Sequence, residues 1–204
     1  MNVPLQRERL LRLAKSLNCD GRRGLLLLGV CVALLLIQSG GASAQLALRY
    51  DRGALAAGQW WRLLSAHVIH LGYEHALLDV SGLALMWALF ARDYSARGWL
   101  LIIGSSLLGV DAGLWLLSST TQWYVGSSGV LHGVLAAGTC AHLRRRLADG
   151  WLLALLLIGK LIYEQTAGAL PLTAGGAVIV DAHLYGATAG AVAALFLRGF
   201  AKPV

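Results

Sequence analysis

The chain has 204 residues, 57% of them hydrophobic and only 13% charged; one soluble domain of this length cannot bury that much apolar surface, so lipid is the expected solvent. The formal net charge is +7, yet the basic residues fall in short clusters between apolar stretches, which argues for membrane topology and against nucleic acid. Cys19, Cys31 and Cys140 have no C-x-x-C spacing, so neither a structural disulfide nor a zinc site is expected from them.

Residues 1–23 read as a basic cytoplasmic segment. The run 24–37, preceded by Arg22 and Arg23 and followed by Ala42, Ser43 and Ala44, has the look of a signal peptide with its cleavage site. Against removal, the basic region is long, and the run with its flank approaches the roughly 20 residues that span a bilayer. We therefore read it as a retained first helix over 24–40. Further apolar windows predict helices over about 75–91, 98–118, 127–142, 150–166 and 181–198, each near spanning length. The expected fold is an all-α membrane protein, a six-transmembrane-helix bundle over 24–198 with a cytoplasmic tail at 199–204. The stretch 41–74, with Trp60 and Trp61 among Arg49, Asp51, Arg52 and Arg62, reads as an ordered loop at the headgroup level.

Charge sets the direction. One side of the bundle receives 13 of the 17 Lys and Arg residues, the other only Arg49, Arg52 and Arg62, and Lys160 lies within a span. The positive-inside rule then puts both termini in the cytoplasm. The second, fourth and sixth spans consequently begin at the outer face, and each carries polar residues at its start: His75 and Asp79, Ser127 and Ser128, Asp181 and His183. Ionisable groups are expensive in a membrane and normally face an internal cavity, so their shared depth marks a candidate site.

Gly129 and Gly133 on the fourth span, and Gly186 and Gly190 on the sixth, are small-xxx-small pairs that permit close helix packing. Ser128 and His183 adjoin these pairs, so a hydroxyl and an imidazole are expected to meet. A serine is a weak nucleophile until a base takes its proton, and histidine is the usual base; hence Ser128 is the expected nucleophile and His183 its base. The Ser128 N–H, at a helix N-terminus, and His75 are the expected oxyanion donors. Asp181 is read as a helix cap or loop anchor rather than a third catalytic member. His132, four residues after Ser128, is read as a packing or supporting histidine. His67, His70, His75 and His132 lack the cysteine or paired carboxylate of a metal centre, and no metal is expected. His142 reads as a cytoplasmic end residue. Asp111 and Lys160 need a partner or an aqueous path, either each other or, for Lys160, the interface.

At this point a family is visible. Gly126-Ser127-Ser128-Gly129 resembles the rhomboid G-x-S-G, and Ala182-His183 followed by Gly186 and Gly190 resembles its A-H-x-x-G-x-x-x-G. Trp61-Arg62 is similar to the Trp-Arg of the rhomboid first loop, and His70, His75 and Asp79 fall on the spacing of its second-helix histidines and asparagine. The resemblance implies an intramembrane serine protease with a Ser–His dyad, needing no cofactor, with His75, Asp79 and Gly126 supporting the oxyanion. The strings Gly129-Val130-Leu131-His132-Gly133 and Val180-Asp181-Ala182-His183-Leu184-Tyr185-Gly186 look like the rhombosortase subfamily. That narrower likeness implies a bacterial inner membrane, a periplasm-facing site, and membrane-tethered substrates bearing a C-terminal Gly-Gly-type sorting tail. Asp79 departs from the family asparagine, since an ionised carboxylate repels an oxyanion. Either burial keeps it neutral or it pairs with His75, and the pair is the expected arrangement. Two other functions compete: a non-catalytic rhomboid-like chaperone for client transmembrane helices, and a small transporter. For the second, no inverted repeat is visible.

Overall fold

The computed structural model describes residues 24–170 and 178–197; the segment 1–23 and the tail 199–204, with Cys19 and Arg198, lie outside the described residues. The described chain is mostly helical. In order it runs α1 (Gly24–Gln38), α2 (Gly41–Leu48), β1 (Tyr50–Asp51), α3 (Arg52–Ala56), α4 (Arg62–Ser65), α5 (Tyr73–Phe90), α6 (Ala96–Leu116), β2 (Trp123–Tyr124), α7 (Ser128–Arg144), α8 (Ala148–Ala167) and α9 (Asp181–Phe196). The six long helices occupy the six apolar windows to within about two residues at most ends.

Among the described residues, α6 alone is long and apolar enough by itself to cross a membrane; α1 with α2 passes only as a pair bent by 105°. The others fall short for identifiable reasons. Helices α7 and α9 have 17 and 16 residues, below the roughly 20 of a typical span. Helix α5 carries Glu74 and Asp79, and α8 carries Asp149, Lys160 and Glu164.

Helix α7 is the centre of the bundle. It packs against α5, α6, α8 and α9, and none of its residues before Arg144 is exposed. Its glycines and alanines make this possible, since bulky side chains would hold four neighbours at a distance. Contact with α9 is closest. A Cβ placed on Gly186 would stand 1.9 Å from the Gly129 carbonyl oxygen, and one on Gly190 would stand 2.3 Å from that of Gly133.

Two arginines organise the stretch before α5, Arg52 by latching it to the end of α6 and Arg62 by tying its own turns together. Arg52 donates through Nε to the Thr121 carbonyl and through its terminal nitrogens to those of Leu114, Trp115 and Ser118, so it closes the C-terminal end of α6, where carbonyls lack intrahelical partners. Buried Arg62 donates to the carbonyls of Leu46 and Arg49 at 3.0 and 2.8 Å and to Gln59 Oε1 at 2.7 Å. Trp60 and Trp61 remain exposed beside it. Arg52→Ala is expected to lower stability by about 2–3 kcal/mol, because hydrogen bonds to a charged donor are among the stronger ones, and Arg52→Lys should restore only part of it. An unchanged unfolding midpoint in detergent would remove Arg52 from this role.

A two-stranded antiparallel contact, Tyr50 with Tyr124 and Asp51 with Trp123, carries the latch to the segment that enters α7. At the other end of the bundle, His142 is buried between Asp149, 2.9 Å from Nδ1, and Asp93, 3.0 Å from Nε2, while Arg145 also pairs with Asp93. His142 is therefore a buried link from the end of α7 to the start of α8 and to the turn between α5 and α6.

Candidate active site

Ser128 is the first residue of α7 and His183 the third of α9. The glycine contact lets the two helix backbones touch, and the Ser128 Oγ lies 2.9 Å from His183 Nε2. The far ring nitrogen, Nδ1, lies 2.9 Å from Glu164 Oε2 on α8, and the other Glu164 oxygen pairs with Lys160 one turn earlier. A chain Lys160–Glu164–His183–Ser128 thus crosses three helices. His132 lies flat against His183, ring centroids 4.1 Å apart and planes 16° from parallel, and its Nδ1 is 2.7 Å from the Ser128 carbonyl oxygen. The imidazole of His183 is therefore held in its plane by Ser128 and Glu164 and across its face by His132.

His132, Glu164 and His183 each offer one ligand atom, the three within 4.8 Å of one another. Hydrogen bonding accounts for these donors better than a metal. His183 is engaged at both nitrogens and Glu164 at both oxygens, and two stacked rings send their in-plane lone pairs along parallel directions rather than to one point.

The other side of Ser128 is assembled by the turn before α7. Gly126 has a φ of +116°, a conformation that glycine adopts freely, and a Cβ there would come within 2.9 Å of the His75 ring. The Gly126 N–H donates to the Ala66 carbonyl at 2.9 Å, and the Tyr124 hydroxyl donates to the Gly126 carbonyl at 2.7 Å. At the start of α7 the Ser128 N–H has no intrahelical partner. His75 accepts the Leu71 N–H at Nδ1, a long contact of 3.5 Å, which leaves Nε2 as the N–H donor. His75 and Ser128 line one small pocket with Leu71, Val125 and Ile179.

Asp79 keeps ion-pair distance to His75 but makes its hydrogen bonds elsewhere. Its Oδ2 accepts the Ser127 backbone N–H at 2.9 Å and the Ser127 hydroxyl at 2.7 Å, and lies 3.1 Å from His70 Nε2. His75 Nε2 is 3.9 Å from Oδ1, ion-pair distance but too far for a hydrogen bond. The reason is the helix terminus: orphan N–H groups and a favourable dipole attract a carboxylate. Asp79 anchors the N-terminus of α7 from α5, and its charge is met by the Ser127 donors and the His70 ring.

Other expectations are also redirected. Asp181 accepts the Ser118 hydroxyl at 2.7 Å, so of its two expected roles it takes that of loop anchor, at the end of α6, and not that of helix cap; Ser118 also meets the Tyr185 hydroxyl at 2.9 Å. Asp111 faces His67, not Lys160, at 3.2 Å. Glu164, the partner of both Lys160 and His183, is the residue that the sequence reading passes over. Its signal was available: Lys160 and Glu164 stand at i and i+4 in an otherwise apolar helix, a spacing that places them on one face.

A bundle centred on a glycine-rich helix, with a serine and a histidine meeting at one end beneath an arginine-latched loop, defines a helical protein with a hydrogen-bonded Ser–His contact between two of its helices. The Rhomboid domain family model matches residues 57–200. This chain belongs to the rhomboid family, a family of membrane proteins. It is also 29% identical over 86 residues to a Bacillus subtilis (strain 168) protein described as "Putative rhomboid protease YdcA"; the match covers 42% of each chain.

Proposed function

We propose that this protein is an intramembrane serine endopeptidase that cleaves membrane-tethered proteins near the outer face of the bilayer. In this reading Ser128 is the nucleophile and His183 the base. The contact that carries it is the 2.9 Å between Ser128 Oγ and His183 Nε2. As Oγ attacks the scissile carbonyl carbon, its proton passes to Nε2. The oxyanion then receives hydrogen bonds from the Ser128 N–H and His75 Nε2–H. Collapse breaks the C–N bond, and the leaving amine takes the proton from Nε2. Water attacks the acyl ester, gives its proton to Nε2, and the ester C–O bond breaks as Oγ recovers the proton.

Six spans with both termini cytoplasmic, and the site towards the periplasm of a bacterial inner membrane, complete the proposal. Leucines and aromatic residues stand exposed on α1, α5, α6, α8 and α9 but not on α7, the pattern of a central helix ringed by lipid-facing ones. The basic residues favour one side by 13 to 3, which supports the orientation. For substrate we propose a protein with a C-terminal Gly-Gly-type sorting tail, since a glycine-rich stretch leaves helical structure readily and offers its backbone to a recessed serine. Incubation with such a substrate should yield a new C-terminus at the glycine motif by mass spectrometry, together with Ser128-dependent labelling by a fluorophosphonate. Binding of the substrate without labelling or cleavage would transfer the protein to the chaperone class.

The two oxyanion-side residues should behave unequally. His75→Ala is expected to reduce turnover by roughly 10²-fold or more, the scale of losing one oxyanion donor. Asp79→Asn keeps an acceptor oxygen for Ser127 and should retain most activity; the reverse order in a cleavage assay would overturn both placements.

A further inference from the structure

Resting on the reading of Ser128 and His183 as nucleophile and base, we propose that Glu164 is a positioning residue for His183, so that the relay is a Ser–His–Glu triad drawn from three helices rather than a dyad. Glu164 is only 1% exposed. A carboxylate buried in an apolar helix is costly and persists where it is paired. Lys160 pairs with one of its oxygens. A packing ion pair between neighbouring turns would need nothing more, yet the second oxygen reaches across to another helix and lies 2.9 Å from His183 Nδ1.

That contact has a chemical consequence. A carboxylate only accepts, so Nδ1 must carry the proton, and the lone pair of the neutral ring is left at Nε2, facing the Ser128 hydroxyl. When Nε2 takes the serine proton, the resulting imidazolium lies against a fixed anion. Glu164 remains ionised throughout, and no atom is transferred to it. His132, stacked on the ring face, opposes rotation out of this plane.

The test uses full-length protein in detergent or proteoliposomes and a fluorophosphonate probe. Ser128→Ala labelling establishes the background. Glu164→Gln is expected to lower the maximal labelling rate constant by roughly 10²-fold, with the probe's apparent affinity unchanged. Should the single variant leave Lys160 unpaired and fail to fold, Lys160→Met with Glu164→Gln removes both charges and carries the same expectation. A wild-type maximal labelling rate in a folded Glu164 variant would overturn the triad while leaving the Ser128 reading intact. Wild-type labelling no stronger than that of Ser128→Ala would overturn the underlying reading itself.

Discussion

Replacing Ser128 with alanine is expected to reduce cleavage of a Gly-Gly-tailed reporter by on the order of 10⁴-fold or more, while the protein folds as before. The substitution removes one oxygen and its hydrogen bond to His183, worth about 0.5–1.5 kcal/mol of stability, and leaves the glycine contact between α7 and α9 untouched. His183→Ala should cost turnover a similar factor but stability more. It leaves a buried Glu164 oxygen without its donor, a penalty of about 1–3 kcal/mol, and removes the ring stacked on His132. Cleavage assays alongside thermal unfolding in detergent separate the two effects. A Ser128→Ala protein with a tenth of the parent's activity would remove this serine from the chemistry.

The second large effect belongs to a residue that carries no functional group. Gly186→Ala adds one methyl, and it would stand 1.9 Å from the Gly129 carbonyl oxygen. That neighbour is backbone within a helix and has no rotamer to escape into, so α9 must move away from α7. Overpacking a core with a methylene costs about 1–3 kcal/mol when side chains can adjust, and here the cost should reach or exceed the upper figure. The displacement would also separate Ser128 from His183, whose contact depends on the same approach. We expect loss of both stability and probe labelling. Gly159→Ala on α8 is the control, since a Cβ there meets nothing within 4 Å and should stabilise the helix by up to about 1 kcal/mol. Equal behaviour of the two variants would mean that the close approach of α7 and α9 is not what holds the site.

Much of this protein is written locally. Apolar windows locate the long helices because a helix is made from contacts within four residues of chain, and its composition reports what surrounds it. The serine and histidine of the candidate site are visible for a related reason: polar groups in apolar segments are rare enough to stand out, and the glycine pairs beside them point to the helix faces that approach. Partners across helices are another matter. Asp79 stands at ion-pair distance from His75, one turn away, but makes its hydrogen bonds with Ser127 and His70; Asp111 takes His67; and Glu164, one turn from Lys160, also reaches His183. Spacing along one helix says which residues share a face. Which face meets which neighbour, and at what depth, depends on the angle and distance at which two helices cross. Those are set by the packing of the whole bundle around α7, so only the tertiary structure could decide them.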